Sequence, residues 1–472
     1  MGCRNDDFFN DVCRSVRGRA PCKKGADLLA AMVVASGVAL NGISRSQTER
    51  TGFGRFLRNP RVTVERLVEG WSDRTAEAAA GCHVLAIQDT SEIAIPTRPE
   101  RRRGLGKVGK GNRHGLLLHA MVAVDAATGS FLGPVTGDVW TREGTVAVPH
   151  GKRPLEEKES RRWLETAQAG AAVLARAERI TVLADRECDI YALWCRLPKG
   201  VDLLTRAMHD RRVALLDPAR PAATKSAPSQ TLSTFCAGLP VAGRQVRTLR
   251  ERADRPKRDA ALTLRFGRTR LARPRNTIEP DLPASVAATV IEVVEEAPPE
   301  GQEPLHWRLL TSHEVADAEA AWRIVSWYEQ RWHIEQLFRT MKRQGLDIES
   351  SQLDQADRLA KLVALATKAA ALTMMMVHAR DGGDTRPATA AFGRQECDLL
   401  RALNERLQGR TEKQQNPHPP DSLAWAAWVL ARLGGWKNHA KNRPPGPITF
   451  QRGIERFWTM HEAWLLKDMY QP

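Results

Sequence analysis

Short apolar segments that end in an aspartate, with helical segments between them, most constrain what this chain can fold into. HVLAIQD ends at Asp89, and ITVLADRECDIYALW carries Asp185 directly after its apolar run. Between them, GLLLHAMVAVDAATGSFLG predicts two strands joined by a turn at Thr128-Gly129. KESRRWLETAQAGAAVLARA then has the periodicity of an amphipathic helix. This order of strands and helices predicts an α/β core.

Helical segments flank this core. Before about residue 75, LLAAMVVASGVAL predicts one helix, with a turn at Asn41 and Gly42 after it. After about residue 355 the pattern is helical again. The apolar runs 28–40 and 362–379 predict buried helices, because the first is too short to span a bilayer and Lys368 interrupts the second.

The N-terminal helical segment is basic. A basic helical segment of this kind is equally typical of a small DNA-binding unit and of a helical cap with a basic surface. Its arginines include Arg45, Arg50, Arg55, Arg58 and Arg61.

The pattern changes between about residues 200 and 310. VDLLTRAM, RQVRTLRER, AALTLRFGRTRLARPR and ASVAATVIEVVEE alternate apolar and polar residues between Pro-rich gaps. This alternation predicts an antiparallel β insertion. Its outer face is basic, with Arg265, Arg268, Arg270, Arg273 and Arg275.

The charge of the chain favours a polyanionic partner. Its 472 residues carry a formal net charge of +16 and give a pI of about 9.8. The eight cysteines are scattered without a C-x-x-C pair, which argues against a zinc site and a disulfide framework and suits a reducing cytosol. Asp6, Asp7 and Asp11 interrupt the start and predict no signal peptide. We therefore expect a cytoplasmic protein without a membrane partner.

One predicted helix, in WYEQRWHIEQLFRTMKRQG, carries four polar residues on a single face: Tyr328, Arg331, Glu335 and Lys342. Their helical spacing brings them within an arc of about 60°. The adjacent arc is apolar and would pack on a core; it holds Trp327, Ile334, Leu337, Phe338 and Met341. A face with one carboxylate, two basic groups and one phenol is suited to bind a metal ion next to phosphate groups. A solvated face with ordinary ion pairs is the alternative.

Asp89, Asp185 and Glu335 form a candidate metal site. An acid that ends an apolar segment is, by itself, usually a turn former or a helix cap. Three acids from two neighbouring strands and a packed helix suit hard divalent cations, because these prefer carboxylate oxygens. Two such ions, about 3.5–4 Å apart, can activate an attacking water or hydroxyl and stabilise the leaving oxygen in phosphoryl transfer.

These motifs resemble those of the DDE transposases of the insertion-sequence-four family. The segments that carry the resemblance are IQDT around Asp89, ADRECDIY around Asp185, and the spacing Y-(2)-R-(3)-E-(6)-K from Tyr328 to Lys342. Shorter similarities lie in the same order along the chain, in GRFLRNPRV, KESRRW, LTRAMH, PLHWRLLTS and LGGW. The resemblance implies an RNase H-like core, interrupted by the β insertion and flanked by helical N-terminal and C-terminal domains.

The resemblance also implies the roles of single residues. Asp89, Asp185 and Glu335 match the catalytic acids that bind two Mg²⁺ ions, for which Mn²⁺ is able to substitute. The residues expected to contact DNA are Tyr328, Arg331, Lys342, Trp307, Arg206 and Arg58.

Two of these expectations, for Trp307 and for the arginines beside it, have structural alternatives. Trp307 matches a tryptophan that stacks on a flipped base, and the alternative is a core tryptophan on a strand edge. Arg206 and Arg211 are expected to hold the same DNA, with a solvated surface position as the alternative. Glu187 and Asp189 are expected to orient neighbouring groups outside the catalytic set.

Five segments follow from these patterns. They are a DNA-end-binding domain (1–75), the first part of the core (76–200), the β insertion (201–310), the core helix with Glu335 (311–360) and a dimerisation region (361–472). The implied function is cut-and-paste DNA transposition through nicking, hairpin formation and opening, and strand transfer. The implied partners are double-stranded transposon inverted-repeat ends and target DNA, bound by a homodimer in a synaptic complex of the bacterial nucleoid.

Two alternatives stay open. One is a DDE nuclease that cuts without joining. The other is an inactive or domesticated DNA-binding regulator, against which the three intact acids argue.

Overall fold

A single mixed sheet organises the molecule. The structure, a computed structural model, describes residues 8–10, 19–96, 103–142, 152–215, 229–249, 257–343, 345–437 and 444–467. Within these ranges, twelve strands form one sheet with helices packed against it, as the α/β prediction requires. The strands are β1 (His83–Ala94), β2 (Gly106–Lys107), β3 (His114–Asp125), β4 (Phe131–Trp140), β5 (Arg179–Ala184), β6 (Val201–Arg206), β7 (Arg212–Leu215), β8 (Ser229–Thr231), β9 (Gly243–Leu249), β10 (Arg258–Ala272), β11 (Ser285–Glu296) and β12 (His306–Thr311).

Five strands in the order β4-β3-β1-β5-β6 form one half of the sheet. β1 pairs antiparallel with β3 and parallel with β5, which pairs parallel with β6. The predicted hairpin is confirmed, since β3 and β4 are joined through Gly129, whose φ of 71° favours glycine. The prediction that the first strand ends at Asp89 is wrong: β1 stays paired with β3 as far as Ala94. Asp89 therefore lies within a strand, and Asp185 directly follows one.

The β insertion extends this sheet instead of forming a separate one. β10 pairs antiparallel with β9 and β11, and β11 with β12, as predicted. β12 then pairs antiparallel with β6, which joins the insertion to the core. β6, in VDLLTRAM, therefore has an antiparallel neighbour in the insertion, as predicted, and a parallel neighbour, β5, in the core.

Fourteen α-helices lie in the described ranges. They are α1 (Arg19–Val34), α2 (Leu40–Ile43), α3 (Gln47–Arg58), α4 (Val64–Glu69), α5 (Asp73–Ala78), α6 (Arg161–Val173), α7 (Tyr191–Arg196), α8 (Leu232–Ala237), α9 (Ala318–Glu329), α10 (Trp332–Lys342), α11 (Ala356–Ala379), α12 (Arg394–Leu407), α13 (Leu423–Leu433) and α14 (Pro447–Lys467). The predicted helical character of both flanking segments is confirmed.

Two details of the N-terminal prediction are wrong. The apolar run 28–40 is not one helix, because the chain turns at Ser36, whose φ is 47°, and the Gly37 N–H donates to the Met32 carbonyl. Gly42 lies inside the short helix α2 and not in a turn.

Cys22 is disulfide-bonded, whereas Cys82, Cys188, Cys195, Cys236 and Cys397 are free. The acids Asp6, Asp7 and Asp11 lie outside the described residues.

The helix α11 is the central helix of the larger core. By length and composition it could cross a membrane, but 94% of its most apolar 18-residue window is buried inside the protein. Lys368 is 2% exposed within it and donates to the Trp71 carbonyl at 3.2 Å. The prediction of a buried helix here is confirmed, and it packs on α1, α10 and β4.

The sheet separates two hydrophobic cores. On β1, Leu85 and Ile87 belong to the larger core with α9, α10 and the C-terminal helices. Val84 and Ala86 belong to the smaller core with α6 and α7. Because side chains alternate along a strand, Asp89 shares the face of Leu85 and Ile87, on which α10 packs.

The predicted single helix over residues 328–342 is wrong in one respect. The chain forms two helices, α9 and α10, that meet at Gln330 and Arg331. At this junction the N–H groups of Gln330 and Arg331 bond to carbonyls three residues earlier, at 3.0 and 3.1 Å. These tighter turns interrupt the α-helical spacing. The apolar face is confirmed, since Ile334, Leu337, Phe338 and Met341 are buried and Trp327 packs partly buried against them.

Candidate active site

Asp89, Asp185 and Glu335 meet at one edge of the core. In the parallel register of β1 and β5, Ile87 is paired with Leu183. Asp89 lies two residues after Ile87 on β1, and Asp185 lies two residues after Leu183, directly after the end of β5, so the two acids are at the same level of the sheet. Glu335 lies in the first turn of α10, which packs on β1.

Electrostatic coupling ties the three acids together. The pKa of Asp89 is raised from 3.8 to about 7, first by burial and then by the negative charge of Asp185, with a further contribution from Glu335. The Asp89 side chain is only 17% exposed. Close carboxylates that share little water resist simultaneous ionisation. A positive charge next to these carboxylates is therefore stabilising.

Arg331 supplies positive charge to this cluster. Its guanidinium lies 3.6 Å from an Asp89 oxygen and donates a hydrogen bond to the Glu335 carboxylate. The resemblance assigns Arg331 to DNA phosphates, and here it instead bridges two of the acids. The contact with Glu335 follows from the spacing of four residues at the start of α10, where Arg331 is the N-cap.

Backbone contacts fix both aspartates. The Thr90 N–H donates to Asp89 Oδ1 at 2.8 Å, and this bond opposes the rise in the pKa of Asp89. The Glu187 N–H donates to Asp185 Oδ1 at 2.8 Å. The Thr205 hydroxyl, on β6, donates to the Asp185 carbonyl at 2.7 Å. The predicted orienting role is thus served by the backbone of Glu187, and Thr205 adds a contact that the sequence interpretation missed.

His119 holds β1 from the other face of the sheet. Its imidazole is fully buried, and one nitrogen lies 2.8 Å from the Thr90 hydroxyl while the other lies 3.2 Å from the Gln88 amide oxygen. Gln88 and Thr90 flank Asp89, so the ring fixes the strand on both sides of the acid. Burial lowers the pKa of His119 to about 3, which keeps the ring neutral. The signal in the sequence was a lone polar residue inside the apolar run GLLLHAMVAV.

A cavity of about 530 Å³ opens beside Asp89 and Glu335. Lys342 lines it and donates to the carbonyl of Glu92. Burial lowers the pKa of the Lys342 ammonium. The rest of the basic lining is Arg113, Arg339 and Arg343. Lys342 therefore shares a cleft with two of the acids, as its spacing predicted.

Tyr328 and Trp307 lie together, and Tyr328 interacts with Arg331. Their rings meet edge to face at 5.3 Å between centroids. Tyr328 is 6% exposed, and burial raises the pKa of its hydroxyl. Trp307 is partly buried on β12 and packs at the border of the larger core. The packing of Trp307 on β12 agrees with the alternative of a core tryptophan, and its base-stacking role stays a prediction.

Arg206 belongs to the same site. Its guanidinium donates to the His306 carbonyl at 2.7 Å, directly before Trp307. Burial and the positive charge of Arg186 lower its pKa, whereas Tyr328 and Asp185 raise it. Arg206 is therefore half-buried among site residues and is not a solvated surface arginine.

Two other predicted arginines lie elsewhere. Arg58 is exposed on α3 and lines a separate cavity of about 330 Å³ together with Arg50, Asn41 and Gln352. The expectation that Arg211 holds DNA is wrong, because this residue is 8% exposed and forms a buried ion pair with Asp189 at 2.8 Å. Asp189 orients neighbours, as expected, since it also accepts from the Met208 N–H.

The donor set suits magnesium by its chemistry. Carboxylate oxygens are the ligands that Mg²⁺ prefers, and the raised pKa of Asp89 marks a site where a cation would relieve repulsion. Among the described residues, no three His, Cys, Asp or Glu side chains converge in metal-ligating geometry. The Arg331 guanidinium provides neutralising charge between Asp89 and Glu335. No protein-family model matches the chain.

Proposed function

We propose that this chain is a metal-dependent DNA transposase with an RNase H-like core, similar to the DDE transposases of the insertion-sequence-four family. The observation that carries the proposal is the coupling of Asp89 to Asp185 and Glu335, from two adjacent parallel strands and a packed helix. The order β4-β3-β1-β5-β6, with three antiparallel strands followed by two parallel ones, supports the RNase H-like assignment. The net charge of +16 suits a DNA substrate.

The proposed chemistry is hydrolytic nicking at the transposon end, followed by attack of the freed 3′-hydroxyl on the opposite strand. Two Mg²⁺ ions held by Asp89, Asp185 and Glu335 would activate the attacking oxygen and stabilise the leaving oxygen. Hairpin opening and strand transfer into target DNA reuse the same acids. His119 and Thr205 keep the two aspartates in place from outside the reacting centre.

Arg331 has two partners in this proposal. In the free protein its guanidinium neutralises Asp89 and Glu335. If cations neutralised the acids, the guanidinium would be free to bind a DNA phosphate, which its planar fork would hold by two hydrogen bonds. Lys342 adds a point charge for phosphates in the adjoining cavity, and Arg206 adds another positive charge beside Trp307.

Replacement of Glu335 by glutamine tests the proposal. The substrate is a duplex that carries the inverted repeat flanking the coding sequence, assayed with Mg²⁺. We expect wild-type protein to nick and join this DNA, and Glu335→Gln to bind it while cutting at least about a thousandfold more slowly. The matched control is Glu412→Gln, at an exposed position in the C-terminal helical region.

Three outcomes separate the candidate functions. Normal cutting by Glu335→Gln would show that the catalytic assignment is wrong. Cutting without transfer of a pre-cleaved end identifies a nuclease. Binding without any cutting by the wild-type protein identifies a regulator.

A further inference from the structure

Glu349 is a carboxylate in the cavity beside Asp89 and Glu335, and the proposed reaction does not use it. It lines this cavity together with Lys342. The two residues belong to one stretch of chain, because Lys342 ends α10 and Glu349 lies in the 3₁₀ helix Ile348–Ser350 that follows. The contribution of Glu349 depends on β1, the strand that both side chains contact.

The last part of β1 has an open edge. Among the strands that the structure describes, none pairs with this edge after Ile87, where the pairing with β5 ends. β3 covers the opposite edge, on which the Ile95 N–H donates to the His114 carbonyl at 2.9 Å. Hydrogen-bonding groups alternate between the two edges of an antiparallel strand. The Ala94 N–H and the Glu92 carbonyl therefore point to the open edge.

Lys342 and Glu349 supply the hydrogen bonds that a neighbouring strand would supply here. The Lys342 ammonium donates to the Glu92 carbonyl, and Glu349 Oε1 accepts from the Ala94 N–H at 3.1 Å. The two contacts are two residues apart on the same edge. They join the end of α10 and the 3₁₀ helix to the strand that carries Asp89.

The backbone around Glu349 is fixed by burial and by a local hydrogen bond. Leu346 and Ile348, which precede it, are buried. Asp347 lies between them with a φ of 48°, and its carbonyl accepts from the Ser350 hydroxyl at 2.7 Å. The Glu349 carboxylate is therefore presented to the cavity from a fixed turn.

The charge of Lys342 depends on the groups that face it. Burial lowers the pKa of its ammonium, and this effect is opposed first by the negative charge of Glu349 and then by that of Glu92. The positive charges of Arg343 and Arg113 lower the pKa further. The arginines that line the same cavity are Arg113, Arg339 and Arg343. A neutral amine does not attract a phosphate by charge, so a carboxylate that favours the charged form of Lys342 also favours phosphate binding.

We propose that Glu349 is a positioning residue: tied to the open edge of β1, its carboxylate holds the Lys342 ammonium in the cleft beside the three acids, where the ammonium binds a DNA phosphate. The proposal rests on the proposed function, because it takes Lys342 as a ligand of DNA. Cations at Asp89, Asp185 and Glu335 would cancel the charge of those acids. Glu349 lies outside this set and would keep its negative charge next to Lys342.

The first test measures the protonation of Lys342 in the full chain without DNA. Trace labelling of amines with acetic anhydride at a series of pH values, read by mass spectrometry, gives the pH at which Lys342 becomes reactive. Glu349→Gln keeps an oxygen that accepts from the Ala94 N–H but loses the charge, so Lys342 should become reactive at a lower pH. Glu349→Asp keeps the charge and should stay near wild type. The matched control is Glu412→Gln, at an exposed position outside the cleft, which should match the wild type.

The second test measures DNA affinity on the Glu335→Gln background, with the duplex that carries the inverted repeat. Between pH 7 and pH 9.5, Glu349→Gln should lose about three- to tenfold more affinity than its parent. Addition of Lys342→Arg to Glu349→Gln should remove this extra loss, because a guanidinium stays charged at both pH values.

Three results would overturn the inference. They are an unchanged reactivity of Lys342 in Glu349→Gln, an equal loss of DNA affinity in this variant and its parent, and an extra loss that Lys342→Arg does not restore. Each would leave the proposed function intact as long as wild-type protein cuts its DNA end with Mg²⁺. Absence of Mg²⁺-dependent cutting by the wild-type protein would overturn the proposed function itself, whereas the labelling of Lys342 contains no DNA and does not depend on it.

Discussion

Replacement of Asp89 by asparagine should stabilise the metal-free protein above pH 7 and abolish its activity. The pKa of Asp89 is about 7 in the folded protein instead of 3.8, because the carboxyl is buried beside Asp185. The folded state therefore holds this proton more tightly than the unfolded state. Stability is fully present below about pH 4 and declines as the pH rises towards 7, by up to about 4 kcal/mol. Asparagine stays neutral throughout and escapes this loss.

The measurement is urea unfolding, followed by tryptophan fluorescence in EDTA between pH 4 and pH 9. The difference in unfolding free energy between Asp89→Asn and wild type should be smallest at pH 4, grow until about pH 7 and then stay constant. Asp381→Asn, at a carboxylate whose side chain is 71% exposed, controls for the substitution itself. Added Mg²⁺ at pH 8 should stabilise the wild-type protein more than the variant. Parallel pH profiles for wild type and Asp89→Asn would refute the electrostatic reasoning.

Two further predictions concern the surroundings of the acids. Replacement of Arg331 by glutamine removes the positive charge between Asp89 and Glu335. Mn²⁺ should therefore bind about tenfold more tightly, as measured by electron paramagnetic resonance. The Mn²⁺ affinity of Arg331→Lys should stay near that of the wild type. Unchanged Mn²⁺ affinity in Arg331→Gln would contradict the bridging role. Replacement of His119 by leucine removes the hydrogen-bond partner of the Gln88 amide oxygen and the Thr90 hydroxyl. We expect the free energy of unfolding to fall by about 1–3 kcal/mol. Nicking should also be slower, with the affinity for DNA unchanged. Equal nicking rates for His119→Leu and wild type would show that the ring does not position Asp89.

The positions of Asp185 and Glu335 could be predicted from the sequence because strand ends and helical periodicity are local signals, whereas Asp89 lies inside β1 and not at its end. Asp185 follows its strand as the pattern indicates, and Glu335 lies on the helix that the spacing predicts. The alternation of the β insertion is equally local, and its antiparallel strands are confirmed. Each of these features depends on residues that are close together in the sequence, so the sequence pattern can predict it.

The ion pair of Arg331 with Glu335 has the spacing of the ordinary helical ion pairs that the sequence offers as the alternative. The contact of Arg331 with Asp89 could not be predicted in this way. The helical spacing assumes a regular turn from Tyr328 onwards, whereas the chain changes to tighter turns at Gln330 and Arg331. That change depends on how α9 and α10 pack against the sheet. The parallel pairing of β6 and the contact between Met208 and Asp189 likewise join segments far apart in sequence, so no local pattern reports them.

The register of β1 and β3 links these local and long-range features. A slip of one residue would exchange the two faces of β1, because side chains alternate along a strand. Asp89 would then face the smaller core, away from α10 and from Glu335. His119 opposes such a slip, since its two ring nitrogens contact Gln88 and Thr90 from the face opposite Asp89. The buried histidine on β3 therefore supports the candidate site without touching any reacting group, through the alignment of the strand that carries Asp89.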